Sequence, residues 1–206
     1  MELQSARVSI RQWDRRDDDL ADEWPPYNDP LDPLWNLPRP YTGRDHWYSS
    51  FDAPSTRRTW AVDDRAGRLV GRISLREIDT RHGRARLGIT FGAPYVGRGL
   101  GSEALAIFLD YYFDELGFQT MVLDVAAPNQ RAVRCYEHLG FRYVGGDWRS
   151  TGACFNSRIL NSPHYAPMRH FFRTNQRTAG LEVQFFEMEL LKRDWYSRRR
   201  PTGTTA

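Results

Sequence analysis

The 206-residue sequence predicts an α+β fold with a mixed β-sheet. Short apolar runs of the kind found in strands alternate with two longer runs whose apolar residues recur at helical spacing. The resulting order of elements, β-α-α-β-β-β-α-β-α-β-β, is that of an α+β protein. A hydrophobic content of 40% supports one full core, and the length is too short for two comfortable domains.

The first part of the chain combines a sheet edge with an irregular segment. Six prolines between residues 25 and 40 argue against a regular element there. The elements predicted here are a strand at Arg7–Arg11, a short acidic helix at Asp17–Trp24, an irregular loop at Pro25–Pro40, a helix at Tyr41–Phe51 that Thr42 could cap, and strands at Thr59–Asp63 and Arg68–Glu77 joined by a turn at Asp64–Gly67.

The second part holds the strongest periodic signals. Its predicted elements are a strand at Arg84–Phe91, a helix at Ser102–Leu116, a strand at Thr120–Val125, a helix at Asn129–Phe141, a strand near Phe141–Val144, a weakly periodic segment at Thr151–Ala179 and a long strand at Leu181–Leu191. The basic run Arg198–Arg200 before Pro-Thr-Gly-Thr-Thr predicts a disordered tail over residues 196–206.

A glycine-rich turn connects the strand Arg84–Phe91 to the helix Ser102–Leu116. Its sequence from Tyr95 to Gly101 is Tyr-Val-Gly-Arg-Gly-Leu-Gly. Glycines allow the backbone to approach a ligand closely, and the first N–H groups of a helix have no partner within it. Partial positive charge and free donors therefore coincide, which suits a phosphate or pyrophosphate. Three glycines before a helix also fit a plain tight turn.

A second motif follows about thirty residues later. Asn129-Gln-Arg-Ala-Val-Arg-Cys-Tyr-Glu-His-Leu-Gly-Phe141 predicts a helix with Asn129 as N-cap and Gly140 in the left-handed position after its end. The strand, the glycine-rich turn, the helix, the next strand and the pattern Asn-x-x-Ala-x-x-x-Tyr-x-x-x-Gly-Phe together resemble the GNAT family, the Gcn5-related N-acetyltransferases. The resemblance covers roughly residues 60–145.

The resemblance implies a fold and an activity. The fold is a single-domain GNAT-like fold over residues 1–195, with a mixed, twisted β-sheet of about seven strands flanked by helices on both faces. The activity is acetyl-CoA-dependent N-acetyltransferase activity, with acetyl passing directly to a primary amine and no covalent enzyme intermediate. The acceptor would be a small amine or a protein N-terminus.

The resemblance also implies where acetyl-CoA lies. In this family it occupies the gap between two strands that splay apart, here Leu87–Phe91 and Met121–Val125. The pantetheine arm pairs with backbone groups of the first strand, and the pyrophosphate meets N–H groups of the turn. Val96 stands where the family usually has Gln or Arg, so a backbone donor remains and a side-chain contribution is lost. The implied cofactor-binding residues are Ile89, Thr90, Phe91, Val96, Gly97, Arg98, Gly99, Leu100, Gly101, Ser102 and Asn129.

Two catalytic roles follow from the same resemblance. Tyr136 occupies the place of a tyrosine whose O–H can protonate the leaving thiolate, although an aromatic packed on the sheet fits the same position. Glu77 is the candidate base, with an exposed strand-end charge as the alternative reading, and Asp124 could also serve. Arg86 stands where acetyltransferases of protein N-termini often carry glutamate, one residue after Ala85, so their base cannot be copied.

The variable parts of the chain bear on the acceptor. Carboxylates in Asp17–Glu23 beside aromatics in Trp24–Trp47 would suit a cationic amine, and a solvated helix face is the plainer reading. The segment Thr151–Ala179 is longer than a hairpin needs, so it could be a lid or a homodimer contact.

Several function classes are disfavoured. The five histidines lack metal-ligand spacing, and Cys135 and Cys154 form no close pair, so we expect no metal. A net charge of +3 spread along the chain gives no nucleic-acid stripe. No apolar run reaches the length of a membrane span and Met1–Arg7 lacks a secretion-signal pattern, so we expect a cytoplasmic protein without a membrane partner.

Two rival functions stay open at the level of sequence. A non-catalytic acyl-CoA-binding or sensing module would use the same scaffold and bind the cofactor without turnover. A dinucleotide-binding oxidoreductase would use Gly97, Gly99 and Gly101 as a Rossmann turn. That turn follows the first strand of a βαβ unit as G-x-G-x-x-G, which differs from the position and spacing found here.

Overall fold

A computed structural model describes residues 2–39, 57–153 and 155–199 of the chain. The predicted helix Tyr41–Phe51 with its Thr42 cap lies outside these residues. Nine strands occur in the described ranges: β1 Glu2–Gln4, β2 Val8–Gln12, β3 Arg58–Asp64, β4 Leu69–Asp79, β5 Arg84–Phe91, β6 Thr120–Ala126, β7 Arg142–Ser150, β8 Phe172–Thr174 and β9 Leu181–Leu191. The α-helices found there are α1 Arg16–Asp22, α2 Leu100–Asp114, α3 Gln130–Leu139 and α4 Lys192–Arg199.

The strands form one mixed sheet in the order β1-β2-β3-β4-β5-β6-β9-β7, with β8 paired to β9 outside this path. Only the β5–β6 pair is parallel among the strand pairs described. The α+β class with a mixed sheet is confirmed, but the expected count of about seven strands was low. The two additional strands, β1 and β8, have three residues each, which is too short for an alternating pattern to reveal.

The main core lies between one face of the sheet and the helices α2 and α3. Helix α2 buries one side completely, because its apolar residues recur at helical spacing. Phe108 is fully buried, and its ring meets that of Trp60 from β3 edge-on at a centroid distance of 4.8 Å. Such aromatic pairs contribute beyond their buried area, so this contact anchors α2 to the sheet.

Helix α3 begins and ends where the sequence predicts. The Asn129 side chain accepts a hydrogen bond from the backbone N–H of Ala132 at 3.3 Å, and Gly140 follows the helix with φ of 99°. A residue with a Cβ rarely adopts such a backbone conformation. Both caps are therefore confirmed, and they fix the stretch of helix that carries Tyr136.

A second, smaller core covers the other face of the sheet near β6 and β9. Leu31 and Leu34 from the proline-rich segment pack there with Val183 and Phe185. Residues 155–172, which include two short 3-10 helices, join this cluster. The weakly periodic segment thus packs on the proline-rich segment within the domain.

The C-terminal part of the described chain differs from the expectation of disorder after residue 195. Helix α4 continues to Arg199, and Trp195 is 5% exposed. The Nε1–H of Trp195 donates to Asp110 at 2.8 Å, and the Tyr196 hydroxyl donates to Asp114 at 2.7 Å. The sequence did not predict this helix, because its residues are mostly charged and its stability comes from contacts with α2. Within the described residues, no helix has the length and apolar character needed to cross a membrane.

We expect the substitution Phe108→Ala to lower the free energy of unfolding by about 3–5 kcal/mol, because it leaves a cavity under Trp60. Chemical denaturation followed by circular dichroism measures this change. The matched control is Leu20→Ala, since Leu20 is 44% exposed; its effect should stay within about 0.5 kcal/mol. Equal effects of the two substitutions would contradict the assignment of Phe108 to the core.

Candidate active site

The parallel strands β5 and β6 separate part-way along their length. They pair only from Arg84 with Thr120 to Arg86 with Val122. Beyond that point β5 continues to pair with β4, and β6 continues to pair with β9. A cleft of about 860 Å³ opens where the two strands diverge. The predicted splay is therefore present, and it begins at Leu87.

The glycine-rich turn closes one end of this cleft. Gly97 and Gly99 have φ of 75° and 77°, which residues with a Cβ rarely adopt. Gly99 is the N-cap of α2 and provides no side-chain cap. The first N–H groups of α2 therefore remain available to a ligand at the positive end of the helix dipole.

Arg7 braces this turn, a role that the sequence did not reveal. Its Nη1 donates to the Arg98 carbonyl at 2.8 Å, and its Nε donates to Glu103 at 2.6 Å. The other oxygen of Glu103 accepts from the Ser5 hydroxyl at 2.7 Å. Glu103, in the first turn of α2, thus fastens the N-terminal segment to this helix. An arginine so distant in sequence gave no local signal.

Most of the residues predicted to bind the cofactor line the cleft. These are Ile89, Thr90, Phe91, Val96, Gly97, Gly99, Gly101, Ser102 and Asn129. Arg98 and Leu100 lie outside the lining. The Arg98 side chain is exposed and its carbonyl is held by Arg7, so its position gives no support to a phosphate contact.

A tyrosine from the proline-rich segment reaches across to β5. The Tyr27 hydroxyl donates a hydrogen bond to the carbonyl of Phe91. Its ring meets Trp35 edge-on at 5.1 Å, and the guanidinium of Arg131 on α3 lies over the Trp35 ring at 5.2 Å. Residues of the proline-rich segment thus form part of the cleft wall.

Tyr136 lies on the face of α3 that meets the cleft. It is 7% exposed, lines the cleft and packs against Phe141 at a ring distance of 5.7 Å. Burial raises the pKa of Tyr136, so the phenol keeps its proton at neutral pH and can act as a donor. The adjacent Cys135 lies 3.0 Å from the Ser102 hydroxyl, and burial raises the pKa of this thiol.

A buried arginine gathers carboxylates at the base of the splay. The Arg86 side chain is 2% exposed. It contacts Glu77 of β4 at 2.8 Å, Glu187 of β9 at 2.9 Å and Asp124 of β6. Burial opposes its charge, but Asp124 and Glu77 outweigh this effect and raise the pKa of Arg86. Arg149 adds a contact of 3.2 Å to Asp124.

Neither carboxylate proposed from the sequence as a base is free. Glu77 lies outside the cleft lining and is bound to Arg86. Its φ of 47° is strained for a residue with a side chain, and it falls within an irregularity of the β4–β5 ladder. Asp124 lines the cleft but pairs with Arg86 and Arg149. This geometry favours a structural role for both carboxylates.

Asp32 is a carboxylate in the cleft that the sequence analysis did not single out. It opens a short 3-10 helix in the proline-rich segment and lines the cleft. Burial raises the pKa of Asp32, and the neighbouring Asp29 adds to the rise. Among the described lining residues it is the acidic side chain that makes no salt bridge. The sequence offered little indication of this residue, because its place in the cleft depends on how the irregular proline-rich segment packs on the sheet.

The described residues contain no group of three histidine, cysteine or acidic side chains placed to hold a metal ion. The cleft is instead a narrow gap between strand edges with backbone donors at one end. This arrangement fits an extended ligand with a terminal phosphate group.

Comparison with known proteins identifies the family. The family model of the acetyltransferase (GNAT) domain matches residues 7–142, about two thirds of the chain. The chain belongs to the GNAT acetyltransferase family. The match includes the glycine turn and the helix of Tyr136, and thus most of the cleft lining.

Relatives of known activity match a smaller part. The spermidine N(1)-acetyltransferase of Escherichia coli K12 is 34% identical over 114 residues, which cover 55% of this chain and 60% of that protein. The spermidine N(1)-acetyltransferase of Vibrio cholerae is 31% identical over 94 residues, or 46% of this chain and 54% of that protein. The chain thus aligns with little more than half the length of these relatives.

Solved structures support the fold over nearly the whole chain. The spermidine N-acetyltransferase of Vibrio cholerae, in complex with CoA and spermine, superposes with a TM-score of 0.62. The superposition covers 93% of this chain and 99% of that one, at 20% sequence identity. At this identity the likeness establishes the GNAT fold, which confirms the fold expected from the sequence.

We expect the substitution Arg86→Met to destabilise the protein by about 3–5 kcal/mol, because three carboxylates lose their buried counter-charge. Denaturant unfolding at neutral pH measures the loss. Arg81→Met, at an exposed turn position, is the control and should change stability by less than about 0.5 kcal/mol. Stability unaffected by Arg86→Met would show that the carboxylates do not depend on this guanidinium.

Proposed function

We propose that this protein transfers the acetyl group of acetyl-CoA directly to a primary amine, without a covalent enzyme intermediate. One observation carries the proposal: the gap between β5 and β6 runs from the glycine turn at the start of α2 to the buried hydroxyl of Tyr136. A gap with backbone donors at one end and a protonated phenol on its wall suits an acyl donor that is long, thin and phosphorylated.

The chain offers candidate contacts for the pyrophosphate and for the pantetheine arm of acetyl-CoA. The N–H groups of Val96–Ser102 would bind the pyrophosphate. Ile89 and Phe91 would pair with the pantetheine arm as an added strand does. The Tyr27 hydroxyl donates a hydrogen bond to the Phe91 carbonyl in this structure. This hydrogen bond would break when the pantetheine arm pairs with the same carbonyl. Asn129 would contribute by holding the start of α3 in place.

Bound acetyl-CoA supplies an activated acetyl thioester. The reaction then requires two proton transfers, one to the departing sulfur and one from the ammonium of the acceptor. Tyr136 holds a proton that can pass to the departing sulfur, since burial keeps the phenol un-ionised. Asp32 is our candidate for the group that takes the proton lost by the ammonium of the acceptor, because it lines the cleft and makes no salt bridge among the described residues. Glu77, the base predicted from the sequence, is the weaker candidate because Arg86 binds it.

The acceptor is a small amine or a peptide N-terminus. The spermidine acetyltransferases among the relatives favour the small amine. A cytoplasmic location and a homodimer stay predictions. The second candidate function is an acyl-CoA sensor without turnover, which the pairing of Glu77 and Asp124 with arginines would favour.

Calorimetric titration with acetyl-CoA, with NADH as control, tests the cofactor first. We expect binding of acetyl-CoA and no heat with NADH. Failure of folded protein to bind acetyl-CoA would contradict both the transferase and the sensor. Binding without acetyl transfer to any amine of a broad panel would favour the sensor.

We expect the substitution Tyr136→Phe to lower kcat roughly 10²-fold, because the thiolate loses its proton donor. Acetyl-CoA binding should change little, since the ring and its packing remain. Steady-state kinetics and calorimetry measure the two effects. Tyr111→Phe on α2, outside the cleft lining, is the matched control. An unchanged kcat in Tyr136→Phe would reduce Tyr136 to a packing role.

We expect the kcat of the wild-type protein to fall as the pH drops through the raised pKa of Asp32, because only the carboxylate accepts a proton. Asp32→Asn should lower kcat roughly 10²-fold at neutral pH and remove this limb of the pH–rate profile. Asp19→Asn, on the exposed side of α1, is the control. A profile of unaltered shape in Asp32→Asn would assign the base to another group.

A further inference from the structure

Two arginines and a serine line one side of the cleft along β4. Arg72, Ser74 and Arg76 alternate on the strand, so they point to the same face about 7 Å apart. We call these three residues the β4 stripe. In the part of the chain that the structure describes, neither arginine has a carboxylate oxygen within 4.0 Å. Arg72 lies instead over the ring of Trp13 at 5.5 Å.

Arg76 has an unused donor inside the protein. Its Nε is buried and has no hydrogen-bond partner among the described residues. Burial lowers the pKa of Arg76, since desolvation disfavours the charge. Buried donors of this kind almost always have a partner in native proteins. The Arg76 side chain also lines the cleft, so its guanidinium can meet an oxygen of a ligand there.

The neighbouring strand leaves space for the serine hydroxyl of the stripe. Gly88 of β5 pairs with Ser74, and both line the cleft. A Cβ at Gly88 would lie 2.6 Å from the Ser74 hydroxyl oxygen, which is too close for any side chain. The absence of a side chain at Gly88 thus keeps the serine hydroxyl beside the two arginines.

Two of the carboxylates that a polycation could use are already paired. Asp124 on the cleft wall is bound to Arg86. Asp17, part of the acidic segment predicted to attract a cationic amine, is 2% exposed and lies 2.7 Å from Arg11. Asp32, which makes no salt bridge among the described residues, is the lining carboxylate available to the amine group of the acceptor. The charges of the described lining therefore suit a molecule with one amine and one anion.

We propose that the acceptor is a primary amine that also carries an anionic group, a carboxylate or a phosphate, and that the β4 stripe binds this group. The inference rests on the proposed function and deepens it. Two guanidinium groups and a hydroxyl supply the donors that such an anion accepts. The amine would then meet Asp32, which lines the same cleft. A polyamine such as spermidine would place a second cation against Arg72 and Arg76.

Calorimetry on the full chain saturated with CoA tests this charge preference. The titrants are four amines of similar size: 3-amino-1-propanol, β-alanine, 2-aminoethyl phosphate and 1,3-diaminopropane, followed by spermidine. We expect at least one anionic amine to bind roughly tenfold or more tightly than the neutral one, as a charged hydrogen bond provides. The carboxylate and phosphate arms identify the anion. Binding of 1,3-diaminopropane or spermidine as tight as that of the anionic amines overturns the inference, and so does the lack of any anionic preference.

Substitutions on β4 test whether the two arginines cause the preference for anionic amines. Arg76→Gln and Arg72→Gln should each remove the anionic preference and leave the Kd for CoA unchanged, whereas the exposed-turn control Arg81→Gln should keep the preference. Thermal melting by circular dichroism checks that each variant is folded, and two independent positions protect the test against one unstable variant. If both variants weaken CoA binding and keep the preference among amines, the arginines serve CoA and the inference is wrong. A wild-type protein that fails to bind CoA would instead overturn the proposed function itself.

Discussion

The buried guanidinium of Arg86 is the interaction on which the candidate site depends. It lies at the last backbone pairing between β5 and β6, where the sheet loses the hydrogen bonds that hold these strands together. Its carboxylate partners come from three other strands, Glu77 from β4, Asp124 from β6 and Glu187 from β9. Side-chain ion pairs thus replace the ladder at the point where the cleft opens. A buried ion pair is a weak source of net stability, but removing one partner is costly, so the arrangement fixes geometry more than it adds free energy.

The two faces of the sheet differ in character: one is apolar and packs against helices, and the other carries charged side chains. One face is apolar and carries α2 and α3, so the glycine turn and Tyr136 are presented by helices anchored in the main core. The other face carries the β4 stripe, the Arg86 cluster and the folded-back proline-rich segment. Burying charge on this face requires that nearly every group has a partner. Arg76, whose Nε has no partner, and Asp32, which makes no salt bridge among the described residues, both line the cleft, where a ligand can supply the partner.

The glycine turn also depends on a residue far away in the chain. Arg7 ties the Arg98 carbonyl and Glu103 to the segment before β2. An anion site made of backbone N–H groups is effective only when those groups are held in position before the ligand arrives. The N-terminal segment therefore contributes to the cleft without lining it.

The features that local backbone rules govern were predictable from the sequence. The glycine turn, the Asn129 cap, the Gly140 terminus and the long strand β9 all follow from residues within a few positions of each other, so pattern and propensity predict them. Tertiary structure alone decided which charges meet. Glu77 looked like a free base because its partner, Arg86, lies across a strand pair, and Asp32 gained its place through the folding of an irregular segment. Helix α4 was missed for the same reason, since Trp195 is stabilised by α2. Ion pairs and packing between residues that are distant in sequence leave no periodic pattern along the chain, so the sequence does not predict them. These long-range contacts decide which charged groups meet in the cleft.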